Sequence, residues 1–122
     1  LTVAQLEEIA KLREQLTVIV EGERVIGFAN LYHHRPGQFA YIGNVIVDPH
    51  CRGRGLGRLL IEYLFDLAVE RLVLPEVRIS VFSDNTTALL LYAALGFSPY
   101  EIEARINPKG ERVALIHMRK RV

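Results

Sequence analysis

The residues best placed to do chemistry lie in one run, Val45-Ile46-Val47-Asp48-Pro49-His50-Cys51-Arg52-Gly53-Arg54-Gly55-Leu56-Gly57-Arg58, where an apolar strand pattern passes through a glycine-rich turn into a helical pattern. Such a layout builds an anion site. The first backbone N–H groups of a helix have no carbonyl partners, so a phosphate placed there accepts several hydrogen bonds and meets the positive end of the helix dipole. Glycines let the ligand come close to the backbone. A charge-assisted hydrogen bond is worth about 1.5–3 kcal/mol and the dipole about 0.3–1 kcal/mol at an exposed terminus, so several aligned amides outweigh any single arginine. Arg52, Arg54 and Arg58 add a local positive field that suits a diphosphate. The plainer reading, a glycine turn with solvated arginines, is disfavoured by the place of the run between a strand apolar on both faces and a long amphipathic helix. Two nucleotide loops are excluded. A Walker loop needs Lys and Ser or Thr after its last glycine, whereas Gly57 is followed by Arg58-Leu59. A dinucleotide fingerprint needs Gly-x-Gly-x-x-Gly, whereas the chain has Gly53-x-Gly55-x-Gly57 and a single strand-helix-strand unit.

The elements that must position this run can be read from its flanks. Thr2 and Gln5 resemble a capping box, and Val3, Leu6, Ile9 and Ala10 recur at helical spacing, which predicts a short helix over residues 3–14. Leu16, Val18 and Val20, a break at Gly22-Glu23, then Val25, Gly27, Ala29 and Leu31 predict a hairpin. After the turn Arg35-Pro36-Gly37, residues 39–47 read as a central strand, apolar on both faces at its end. Over residues 55–72, Leu56, Leu59, Leu60, Tyr63, Leu64 and Leu67 step by three or four against a stripe of Arg58, Glu62, Asp66 and Glu70, a helix that Pro75 should stop. Val77, Ile79 and Val81 make the next strand, so residues 39–82 predict a parallel pair with a right-handed crossover. Asn85 can cap a further helix closed by Gly96, and strands over 97–106 and 112–119 flank the turn Asn107-Pro108-Lys109-Gly110. The terminal Arg119-Lys120-Arg121 reads as a solvated tail.

At 122 residues the chain predicts one domain over 1–122, and half of its residues are apolar, enough for a core. Its formal charge of +1 and the lack of an aromatic-basic interleave argue against a nucleic-acid binder, and no uncharged apolar stretch is long enough to cross a bilayer. Cys51 is the only cysteine, which leaves no internal disulfide and no Cys-x-x-Cys metal or redox pair, so no metal is expected and a reducing, cytoplasmic setting fits. The chain begins at Leu1, which suggests that residues precede it. Dimerisation through a sheet edge or the last hairpin is left open.

Arg52-x-x-Gly55-x-Gly57 resembles the Gln/Arg-x-x-Gly-x-Gly/Ala pyrophosphate loop of the GNAT superfamily of acyl-CoA-dependent N-acyltransferases. Asn85-x-x-Ala88-x-x-Leu91-Tyr92, followed by Gly96-Phe97, is similar to that family's later helix, and the resemblance spans about residues 16–119. It implies an α/β fold: a mixed, mostly antiparallel twisted sheet whose central parallel strand pair splays to hold acetyl-CoA, with helices on both faces. The family's opening strand has no counterpart here. The walls of the cleft would be Val45, Ile46 and Val47 against residues 80–83, with a bulge at Gly43 opening it. The resemblance implies cofactor-facing backbone at Val45 and Val47, diphosphate contacts at Arg52, Gly53, Arg54, Gly55, Leu56, Gly57 and Arg58, and pantetheine or thiol contacts at Asn85 and Tyr92.

The implied reaction is direct attack by a primary amine of a small molecule or protein on the acetyl thioester, through a tetrahedral intermediate. The Val47 N–H is the first candidate to receive its negative oxygen. Tyr92 would meet the departing sulfur as a hydrogen-bond donor. A lysine-like amine costs about 4–5 kcal/mol to deprotonate at pH 7 and an α-amino group about 1 kcal/mol, so the need for a base depends on the acceptor. Tyr41, on the central strand, is the candidate catalytic base. His33 and His34 could relay a proton but read more simply as surface or turn-capping residues, Asp48 as a strand-end residue and Cys51 as a loop residue. The acceptor pocket should be shaped by the first helix, residues 32–38 and residues 107–111. The alternative function is a noncatalytic acyl-CoA-binding regulatory or interaction module.

Overall fold

A computed structural model of the chain describes residues 14–122. The helix predicted over residues 3–14 lies outside them, except that Glu14 opens a strand. Among the described residues six strands, β1 (Glu14–Glu21), β2 (Arg24–Arg35), β3 (Phe39–Val47), β4 (Glu76–Phe82), β5 (Ser98–Ile106) and β6 (Arg112–Arg121), form one sheet in the order β1-β2-β3-β4-β6-β5. Among the described strands only β3 and β4 run parallel, and helix α1 (Leu56–Glu70) makes the crossover between them; α2 (Thr86–Ala94) follows β4.

Both described helices cover one face. On β4 the alternation puts Val77, Ile79 and Val81 on the inner side, and their partners Lys120, Met118 and Ile116 on β6 share it. Leu60, Ile61 and Leu64 of α1, with Tyr92 of α2 and its C-cap Leu95, complete that core. The outer side carries Arg78, Ser80 and Phe82, with His117 and Leu115 beside the last two.

Two expectations are corrected. Helix α1 ends at Glu70, well before Pro75, because the chain unwinds at Val73, whose φ of 53° is left-handed, and Leu74 then turns into the core. Pro75 instead precedes β4, where its carbonyl accepts from the Val122 N–H at 3.0 Å. The basic terminus is no tail: Arg119, Lys120 and Arg121 are strand residues paired with Arg78, Val77 and Glu76. The strand alternation explains it, since Lys120 lies over the Phe65 ring at 4.2 Å on the inner side and Arg121 bonds Glu76 on the outer.

Candidate active site

The parallel pairing of β3 and β4 runs from Ala40/Val77 to Ile42/Ile79 and goes no further. Beyond that point β3 stays with β2 as far as Val47, and β4 stays with β6 as far as Phe82. The two central strands therefore part into a V. The register supplies the cause: Phe28 pairs with Ile46 but Asn30 with Gly43, so β3 holds one more residue than β2 across this step, a bulge that bends the strand. Gly43 is required there, because a Cβ would meet the Tyr32 ring, with Cδ1 at 2.7 Å.

Backbone direction follows from the register. The Asp48 N–H donates to Ile26 O at 2.7 Å, and along a strand successive N–H groups point to opposite sides. Asp48 and Ile46 thus face β2, and the Val47 N–H faces the gap.

The loop at the mouth of the V is held by its own contacts. Asp48 accepts from the His50 N–H at 2.8 Å and from Arg24 Nη2 at 2.7 Å, and these bonds hold its carboxyl below the usual carboxylate range. Gly53 and Gly55 take φ of 82° and 74°, the left-handed region that glycine enters without strain. Gly55 is the N-cap of α1 and brings no capping side chain; the first bond inside the helix is Leu59 N–H to Gly55 O at 3.1 Å. The preceding amides of Leu56, Gly57 and Arg58 are left to a ligand or water. Helix α2 differs, since the Asn85 side chain caps it by accepting from the Ala88 N–H at 3.2 Å.

A cleft of about 610 Å³ joins these features. Val45, Ile46, Val47, Arg52, Gly53, Gly55, Leu56, Gly57, Arg58, Asn85 and Tyr92, all singled out in the sequence, line it. Arg54 does not. Its guanidinium reaches to β1, where Nη2 lies 2.7 Å from Glu21 Oε2, a partner the sequence could not reveal because it is far away along the chain. Arg58 lines the cleft while pairing with Glu62 one turn on, at 2.6 Å. Tyr92 is buried and burial pushes its hydroxyl's pKa upward, so it stays a neutral donor across the physiological range. Cys51, Thr87, Ala88 and Leu91 also line the cleft; the helical spacing of 88, 91 and 92 was the available signal for the last two.

Tyr41 lies elsewhere, in a second cleft of about 570 Å³ with Tyr32, His33, Phe39, Ser80 and His117. Ser80 and Phe82 are outer-face residues, so this cleft opens on the side of the sheet opposite the two described helices. His33, at φ 48°, packs its ring 4.9 Å from that of Tyr32. The Tyr41 and Tyr100 hydroxyls are 2.7 Å apart, and the Arg78 guanidinium lies 3.7 Å from the Phe39 ring centre and 4.8 Å from that of Tyr100. The expected turn over residues 32–38 does contribute to this wall; residues 107–111 do not, although Arg105 next to them does. Sequence reasoning placed residue 80 only in the wall of the donor cleft, whereas it lines this second one, and it missed Tyr100, Glu103 and His117, which join Ser80 only through strand register. Among the described residues no cluster of His, Cys, Asp or Glu is arranged to hold a metal ion, and no helix is long and apolar enough to cross a membrane.

Comparison with known proteins accords with this geometry. The profile of the Acetyltransferase (GNAT) family matches residues 2–97. A mycothiol acetyltransferase of Pseudarthrobacter chlorophenolicus is 36% identical over 104 residues, covering 79% of this chain and 31% of its own. The chain spans between about a fifth and a third of the length of the first curated relatives it matches. Among solved structures, the ribosomal-protein-S18-alanine N-acetyltransferase of Escherichia coli superposes with a TM-score of 0.80 at 26% identity, covering 95% of this chain and 76% of that one. A Salmonella typhimurium protein solved with its cofactor acetyl-CoA gives 0.77 at 25% identity, with 97% and 70% covered.

Proposed function

Because this chain belongs to the GNAT acetyltransferase family, we propose that it transfers an acetyl group from acetyl-CoA to a primary amine. One observation carries the reading: β3 and β4 part beyond Ile42 and Ile79, with uncapped helix amides and a cleft on one face of the sheet and a second cleft on the other. The residues fit the donor. Orphan amides at Leu56, Gly57 and Arg58, with Arg52 beside them, match a diphosphate, and an unpaired strand edge at Val45 and Val47 matches an extended amide-bearing arm.

When bound, acetyl-CoA supplies the activated acyl group. The protein does the rest. The Val47 N–H, directed into the gap, donates to the carbonyl oxygen as it gains charge. Tyr92 donates from the α2 wall to the sulfur. The acceptor enters from the outer face, past Tyr32, His33 and Tyr41, so donor and acceptor meet where the strands diverge. A cytoplasmic setting is supported by Cys51, a buried free thiol in the donor loop. The test is thiol release from acetyl-CoA in the presence of a panel of amines: an alanyl peptide, a lysyl peptide, spermidine and glucosamine. Release dependent on one of them supports the reading. Tight acetyl-CoA binding with no turnover on any would leave a noncatalytic binding module.

A further inference from the structure

The outer face carries a chain of hydrogen bonds that the donor site does not use. Ser80 Oγ lies 2.7 Å from His117 Nδ1, and His117 Nε2 lies 2.6 Å from Glu103 Oε1. Three strands build it. Ser80 and His117 are direct partners on β4 and β6, and Glu103 on β5 pairs with Leu115, two residues before His117. Ser80 is also the first β4 residue beyond the last parallel pair, so it stands at the fork of the V, and Ser80 and His117 both line the outer cleft.

The chemistry fixes the direction of each bond. Hydrogen bonds from His117 and then Arg105 hold the Glu103 carboxyl below the usual carboxylate range, so it is ionised and can only accept. The proton therefore sits on Nε2. A neutral imidazole then offers its lone pair at Nδ1, where the Ser80 hydroxyl donates. The remaining lone pairs of Ser80 Oγ are left for a donor in the cleft.

We propose that Ser80 and His117 form the proton exit of the acceptor site, with Glu103 as a positioning residue, an assignment that rests on the acetyltransferase reading. An acceptor that enters as an ammonium loses one N–H proton to Ser80 Oγ while the Ser80 O–H proton passes to His117 Nδ1. The electron pair left on nitrogen forms the new bond to the acyl carbon. The imidazolium is balanced by Glu103 and returns its proton to water in the open cleft. The second proton leaving nitrogen goes to the departing sulfur, so ammonium and thioester give amide, thiol and one released proton. Other groups face His117. Glu101 is opposite it on β5, the Tyr100 ring is 6.1 Å away, and Arg119 follows it on β6 with its guanidinium over Tyr100. Arg78 lies on β4, while His33, Arg35 and Tyr41 reach the same cleft from β2 and β3.

The test has two arms. In ligand-free protein labelled with 15N-histidine, His117 should show the Nε2–H tautomer, and Glu103→Gln should weaken that preference; a dominant Nδ1–H tautomer in the wild type overturns the relay. In the second arm, kcat/KM is followed against pH with a lysyl peptide and an alanyl peptide. His117→Gln should lower it about 100-fold or more for the lysyl acceptor and flatten the acidic limb, with a smaller loss for the less basic alanyl amine. Normal wild-type turnover with an unchanged profile in His117→Gln overturns the relay alone and passes the role to Tyr41. An acetyl group retained on Ser80 in the mass spectrum replaces the relay with an acyl-enzyme. A wild type that neither binds acetyl-CoA nor turns over overturns the acetyltransferase reading itself.

Discussion

Replacing Gly55 or Gly57 by alanine should have opposite effects, although the two lie two residues apart in one loop. Gly55 has φ of 74°, where a Cβ costs about 1–2 kcal/mol, offset by about 0.4–1 kcal/mol from a stiffer unfolded chain. The net loss is about 1 kcal/mol, or a fall of about 3–6 °C in Tm for a domain of this size. Gly57 is helical, and a Cβ there meets only Leu91 Cδ2 at 4.0 Å, so alanine should add about 0.5–1 kcal/mol. The ligand effects should also separate. Relaxation of the strained alanine at 55 turns the loop amides, and losing even one charge-assisted bond of about 1.5–3 kcal/mol raises the Kd for coenzyme A about tenfold or more. Alanine at 57 keeps every amide in place, and the family's loop pattern itself admits it. Calorimetric unfolding and isothermal titration with coenzyme A measure both quantities. Equal affinity in the two variants would show that the loop backbone is not the diphosphate site, and a Tm drop for Gly57→Ala would misplace the start of α1.

Tyr92→Phe should bind acetyl-CoA nearly as the wild type does yet lose about 100-fold in turnover, and because burial raises the hydroxyl's pKa, wild-type activity should show no loss from Tyr92 ionisation below about pH 10. Unchanged turnover in a titrated amine assay would remove Tyr92 from the reaction. For Glu76, burial pushes its pKa up, but hydrogen bonds from Arg78 and Arg121 outweigh that and hold it below its unfolded value of about 4.5. A depressed carboxyl stabilises the fold above the unfolded pKa and loses that contribution as pH falls through the folded one. Glu76→Gln should therefore cost about 2 kcal/mol at pH 7, with the gap from wild type closing below about pH 4.5 in urea melts. A gap that is constant down to pH 3 contradicts the assignment.

The cleft at the start of α1 was legible because its lining is local. Strand, glycine turn and helix start are contiguous in Val45 to Arg58, and Asn85 and Tyr92 sit at fixed spacing on one short helix. Even the opening of the sheet left a trace at Gly43, where a strand-interior glycine coincides with the bulge. What the sequence hid is non-local. Arg54 is turned away by Glu21 across the sheet, and Ser80, Glu103 and His117 meet only because β5, β6 and β4 lie side by side in a particular register. The basic terminus shows the same limit in the fold, since its charge pattern reads as solvated while its alternation makes it an inner strand.

The most direct measurement is a crystal structure of the protein soaked with acetyl-CoA. The account predicts diphosphate oxygens within hydrogen-bonding distance of the Leu56, Gly57 and Arg58 amides, and the acetyl carbonyl beside the Val47 N–H between β3 and β4. Phosphates bound away from that helix start, or a V closed by the chain's own side chains, would contradict it.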